Sequence, residues 1–230
     1  MGVDWDAPIR AYCERANGAF WAEPFGAVSN AAFLVAAAVS GWRAMTARDG
    51  VCLAFAGLIA VIGIGSFLFH TIAVQWAMLA DVIPIALFVV AYFALALHRL
   101  LGLRPAASIP LTLAFALADV ALTPALESAT GWPLARMTNG SLDYLPAFVA
   151  LLGVAAVLAG RRTGPDRKTA RHLALVALLF LMSLAFRTLD RAACAVIPIG
   201  THWLWHVLNA VVLGALVLIA LRRETAPVPP

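Results

Sequence analysis

The sequence predicts an all-α fold: a polytopic membrane protein built as a seven-transmembrane-helix bundle. Three observations predict it. Hydrophobic residues make up 63% of the 230-residue chain and charged residues only 12%, against about 25% charged in a typical soluble domain. Mean hydropathy is +0.91. The apolar residues come in long blocks rather than at helix or strand period, and about 20 such residues cross the roughly 30 Å of hydrocarbon in a bilayer. Lipid offers the backbone no hydrogen bonds, so blocks of this length form helices.

The elements follow in order. Residues 1–22 are polar, lack the apolar core of a cleavable signal, and form an N-terminal segment ahead of the membrane. Spans are expected over 25–42, 51–70, 77–98, 108–126, 142–160, 172–190 and 203–221. Polar Arg43–Gly50 separates the first two. Gly102 and Pro105 break the chain after the third. Arg161–Arg171, the most charged run, separates the fifth from the sixth. The tail 222–230 ends in Pro-rich Ala226–Pro230 and is expected to fray. No internal repeat or second domain is visible, so 1–230 reads as a single transmembrane domain.

Charge sets the expected orientation. With the N-terminus outside, five of the 16 Lys and Arg residues fall outside (Arg10, Arg15, Arg136, Arg187 and Arg191) and the remaining eleven fall on the cytoplasmic side. The positive-inside rule therefore places the N-terminus outside and the C-terminus in the cytoplasm. Trp21, Trp76, Trp132, Trp203 and Trp205 then fall near the outer interface, as an aromatic belt does. The pI near 9.4 does not imply nucleic acid, because the basic residues sit in short loops where they set topology. Short, Arg-rich and Ala-rich loops fit a bacterial inner membrane. Cys13, Cys52 and Cys194 show no CxxC spacing and say little about redox compartment.

Ionisable residues inside spans are expensive in lipid and are functional candidates. Ser66 and His70 end the second span, Asp81 lies early in the third, and His202 and His206 open the seventh. By the alternation of the spans, all of them lie near the outer face. His202 and His206 are four apart and project from one helix face, a spacing at which two imidazoles ligate one metal. With His70 as a third ligand, the fourth position stays open, as in catalytic zinc sites. Zinc lowers the pKa of its water to about 7. Ser66, one turn before His70, is placed to donate to a developing oxyanion. Asp81 is placed to relay the water's proton to a leaving amine.

Blander readings exist for each residue. The histidines also read as interfacial or helix-end residues, Ser66 as a small packing residue, and Asp81 as a first-turn acid favoured by the helix dipole. What favours a metal site is their convergence at one depth from three helices. Arg187 and Asp190, three apart, read as a structural ion pair. Asp119, alone in the fourth span, has no assigned role.

Four segments resemble the alkaline ceramidase family, within the seven-helix membrane hydrolases that include adiponectin receptors. They are YCER at Tyr12–Arg15 with AEPFGAVSN at Ala22–Asn30, GIGSFLFH at Gly63–His70, Asp81 within LADVIPI, and HWLWH at His202–His206. The resemblance implies zinc on His70, His202 and His206, Ser66 and Asp81 as catalytic partners, and hydrolysis of ceramide or a related N-acyl lipid to fatty acid and amine. It also implies a calcium site near the N-terminus, for which Glu14, Asn17 and Glu23 are the matching residues. The Asp expected before Cys13 is replaced here by Arg10 or Ala11. Calcium takes six to eight oxygens, and Glu14 and Glu23 also read as solvated acids.

Two other functions compete: a receptor or signalling protein with structural zinc, and an ion transporter using Asp81, Asp119 and the histidines. A transporter predicts discontinuous helices or paired repeats, which are not evident. A retinal protein needs a lysine within a span, and Lys168, in a charged loop, is the only lysine.

Overall fold

The computed structural model describes residues 2, 4–161 and 163–224; Arg162 and the Pro-rich stretch 226–230 lie outside the described residues. Seven described helices are long and apolar enough to cross a membrane, so the chain is an all-α seven-helix membrane bundle. The described residues form no strand, only an isolated bridge between Pro8 and Val74.

The helices start and stop for local reasons. The first, α1 (Pro24–Thr46), is interrupted at Asn30. The second, α2 (Gly50–Ile72), is capped by Asp49, whose carboxylate accepts from Val51 N and Cys52 N and is also held by Arg99. Left-handed Ala73 (φ 51°) closes it, and Ala73 and Val74 alone connect it to α3 (Gln75–Leu100). That tight connection keeps His70 and Asp81 at the same end of the bundle. Pro105 opens α4 (Pro105–Thr130), in the first turn where a missing N–H costs nothing. Next come α5 (Ser141–Gly160), α6 (Gly164–Ala193) and α7 (His202–Glu224).

Neighbours in sequence pack as neighbours in space, and α1 also packs on α7, closing the ring. The helix α7 contacts α1, α2 and α6 and is the most enclosed of the seven, whereas α4 is the least enclosed and faces outward. Histidines on α7 are thus enclosed from the outset.

The sequence-based boundaries differ most at α6, which begins at Gly164 rather than 172. Thr163 accepts from Asp166 N as an N-cap, and Pro165 sits in the first turn. Those are start signals that hydropathy alone overlooks. Trp205 also departs from the expected belt: it is only 2% exposed and packs against Tyr144 and Phe180. Trp21 and Trp132 do face outward.

The N-terminal segment folds over one end of the bundle. Ile9 N donates to Ala73 O (2.8 Å) and Trp76 N to Trp5 O (3.2 Å). A disulfide joins Cys13 to Cys194, tying this segment to the α6–α7 connection.

Candidate metal centre

Three histidines from two helices meet under this cap. Their ring centroids lie 4.6 Å (His70–His206), 4.6 Å (His202–His206) and 5.2 Å (His70–His202) apart. One ligand nitrogen from each falls within 4.8 Å of the others, and all three residues are buried.

Hydrogen bonds decide which nitrogen two of the rings, His70 and His206, present. Nδ1 of His70 faces the Glu23 carboxylate. A carboxylate only accepts, so Nδ1 carries the proton and Nε2 keeps its lone pair. Nδ1 of His206 lies 2.7 Å from Ser29 Oγ. That hydroxyl spends its one proton on Gly26 O (2.9 Å), so it accepts from His206, whose Nε2 is left as the lone-pair nitrogen. Orienting a ligating histidine through its second nitrogen is the usual outer-shell device of metal sites.

What remains unpaired fits a cation. His70 Nε2, His202 Nδ1 and Asp81 Oδ1 are buried without a hydrogen-bond partner. Each such group costs about 1–3 kcal/mol unless something binds it. Three imidazoles with lone pairs converging are the donor set of a zinc site with one open position.

Close approach of the helices is set by glycines. A Cβ on Gly65 would lie 2.0 Å from Ala80 O, so only glycine lets α2 touch α3 here, which brings Ser66 to Asp81. Ser66 Oγ is 3.5 Å from His206 Nε2. A Cβ on Gly26 would lie 2.7 Å from His70 Nδ1, so the backbone of α1 seals that ring from one side.

Several neighbours of the site were not legible as such. Tyr12 stacks on His202, with centroids 3.5 Å apart. Asp190 accepts from His202 N (2.9 Å), Thr201 N (2.7 Å) and Cys13 N (3.0 Å). It caps α7 from a neighbouring helix and positions the first histidine. Asp190 therefore does not pair with Arg187, contrary to the sequence expectation. Arg187 instead lies over the rings of Tyr12, Tyr144 and Trp205.

The expected calcium ligands are otherwise engaged. Glu23 is ion-paired with Arg15, which also donates to His70 O (2.8 Å). Glu14 accepts from Phe25 N (2.7 Å) and Gly26 N (2.8 Å) at the start of α1. Asn17 Oδ1 accepts from Ala19 N (2.9 Å). A guanidinium against the central carboxylate does not fit a second cation there. Burial raises Glu23 above the ordinary glutamate value, and Arg15 offsets part of that rise. The calcium expectation gains no support from this arrangement, in which Glu23 faces His70 and Arg15 and Glu14 accepts from the first turn of α1.

Seven apolar helices closing around buried histidines define a polytopic membrane protein with a candidate metal centre at one end. The chain matches the ceramidase family over residues 11–225, nearly its whole length, and it belongs to that family. Membership makes it a hydrolase of amide bonds with a lipid substrate. No curated protein matches the chain.

Proposed function

We propose that this protein is an intramembrane zinc-dependent amidase that cleaves ceramide or a related N-acyl lipid to a fatty acid and an amine. The observation that carries the reading is the convergence of His70, His202 and His206, with His70 Nε2 and His202 Nδ1 unpartnered, beside unpartnered Asp81 Oδ1. The three histidines would hold the metal. When bound, zinc supplies Lewis-acid polarisation of a carbonyl and acidifies its water to a pKa of about 7.

The residues of the chain do the rest. Asp81 takes a proton from the attacking water and delivers it to the departing nitrogen, so the C–N bond breaks as the water oxygen joins the acyl carbon. Ser66 donates a hydrogen bond from its hydroxyl to the oxygen that gains charge. An apolar cavity lined by Ile85, Phe88, Tyr92, Phe115 and Leu213 suits the acyl chain.

The N-terminus is assigned outside and the C-terminus to the cytoplasm. The Cys13–Cys194 disulfide supports this, because such bonds persist in oxidising compartments.

The test is release of fatty acid from ceramides by purified protein, beside Asp81→Asn. Cleavage by the wild type, lost in a variant that still binds zinc, is expected. A folded, zinc-loaded wild type that cleaves no lipid amide would overturn the reading.

A further inference from the structure

Arg187 is a guanidinium inside a transmembrane helix with no acidic partner. No ion pair includes it among the described residues. Its Nε donates to Asn139 O (3.1 Å) and its Nη1 to Tyr12 Oη (3.2 Å). Both acceptors are neutral, as are the three rings it lies against. Arg187 is half-buried near the end of α6, and a cation taken partly out of water is ordinarily paired. Among the described residues no carboxylate reaches it at ion-pair distance, and only Asp81 faces it across the cavity they share.

Its surroundings say what would. Arg187 lines a cavity of about 230 Å³ together with Asp81, Tyr12, Arg136, Arg191 and Asn139. Asp81 is the one carboxylate among the lining residues, against three arginines. Arg136 and Arg191 are exposed, and Arg187 sits partly enclosed beside Tyr12, which stacks on His202. Positive charge therefore leads from the surface to the histidine cluster. This cavity shares Ile85 and Tyr144 with the apolar one. A molecule passing the shared wall at Ile85 and Tyr144 would thus have one apolar half and one half facing arginine.

We propose that the cavity lined by Arg187, Arg136 and Arg191 binds an anionic group on the amine half of the lipid amide, with Arg187 as its direct partner. This rests on the amidase reading above. The shared chemistry is a carboxylate or phosphate a few bonds from the amide nitrogen, as in an N-acyl amino acid or a phosphorylated ceramide. Arginine offers a planar fork suited to either group. Arg187 is then a specificity residue: it selects the substrate and takes no part in proton transfer.

The experiment compares matched amides on the purified wild-type protein: N-dodecanoylglycine against N-dodecanoylethanolamine, and ceramide 1-phosphate against ceramide. Binding of the same four compounds is followed by their shift of the melting temperature. The anionic member of at least one pair is expected to have kcat/KM higher by roughly tenfold to hundredfold, the range of one charge-assisted hydrogen-bonded pair, mostly through KM. Which pair shows it separates carboxylate from phosphate. Arg187→Gln should erase the preference, so that kcat/KM becomes equal within each pair. Arg187→Lys, keeping the charge without the fork, should retain part of it. Equal kcat/KM within both pairs, or a preference that survives in Arg187→Gln, would overturn the proposal. If Arg187→Gln does not fold, the wild-type pairs and Arg187→Lys decide the matter. If no amide is cleaved, the amidase reading fails by itself. Tighter binding of the anionic compounds, weakened in the Arg187 variants, would then still uphold the anion site, and its absence would overturn that too.

Discussion

Glu23 accepts the Nδ1 proton of buried His70, and this one bond settles which nitrogen of that ring faces His202 and His206. The same carboxylate is held from its other side by Arg15. A residue in the segment before the membrane therefore sets the ring orientation of a residue at the far end of α2.

Glu23→Gln should weaken metal binding by about 10–100-fold without abolishing the fold, because outer-shell partners of ligating histidines carry effects of that size. Ser29→Ala should weaken it through His206 in the same way. Competition with a chelator of known affinity reads both. Unchanged affinity in both variants would show that the ring orientations are set by packing alone.

Calcium should be without effect on this protein. The Arg15 guanidinium already neutralises Glu23, and Glu14 is committed to the start of α1. Melting temperature in detergent should be the same with added calcium and with a calcium-selective chelator, whereas a zinc chelator should lower it. A calcium-dependent rise in the wild type would show that Arg15 yields its place.

Cys13→Ser should destabilise the protein by several kcal/mol, since the disulfide closes a loop of 181 residues and long closures are worth about 3–5 kcal/mol. The loss should appear as a lower melting temperature and easier proteolysis of the N-terminal segment. The Cys52→Ser variant serves as control, its thiol being free and buried.

Acid should remove one contribution at the opposite end of the bundle. Burial alone would raise Asp49, but Arg99 and the backbone N–H of Cys52 hold it down to about 2. A depressed carboxylate stabilises the fold above its unfolded pKa of about 3.9 and loses that contribution as pH falls toward 2. Stability should therefore drop between about pH 4 and pH 2. Asp49→Asn should flatten that part of the profile. An unchanged profile in the variant would place the acid sensitivity elsewhere.

The bundle was legible because lipid leaves a chain so few choices. Uninterrupted apolar blocks fix both the helices and their number, and the alternation of spans brings His70, Asp81, His202 and His206 to one end. Helix ends outside the hydrocarbon were less legible, since Thr163 and Pro165 start α6 in a charged run that hydropathy scores as loop. The partners of the histidines were missed for a different reason. Ser29, Tyr12 and Asp190 act through contacts between segments far apart in sequence, so although Tyr12 and Ser29 fall within motif segments, nothing local shows which histidine each one meets. One signal was available: the predicted topology places Cys13 and Cys194 on the same side and Cys52 on the other, which already pairs the two that form the disulfide. Arg187 and Asp190, three apart on one helix, looked like partners but face different neighbours.

The central claim is that three histidines hold a metal between the helices. Its most direct test is the metal content of detergent-purified protein, measured beside His70→Ala and His206→Ala variants whose folding is checked independently. The account predicts about one zinc per wild-type chain, as expected of a three-histidine site, and its loss in both variants. Folded wild-type protein that binds no zinc, or folded variants that keep it, would contradict the account.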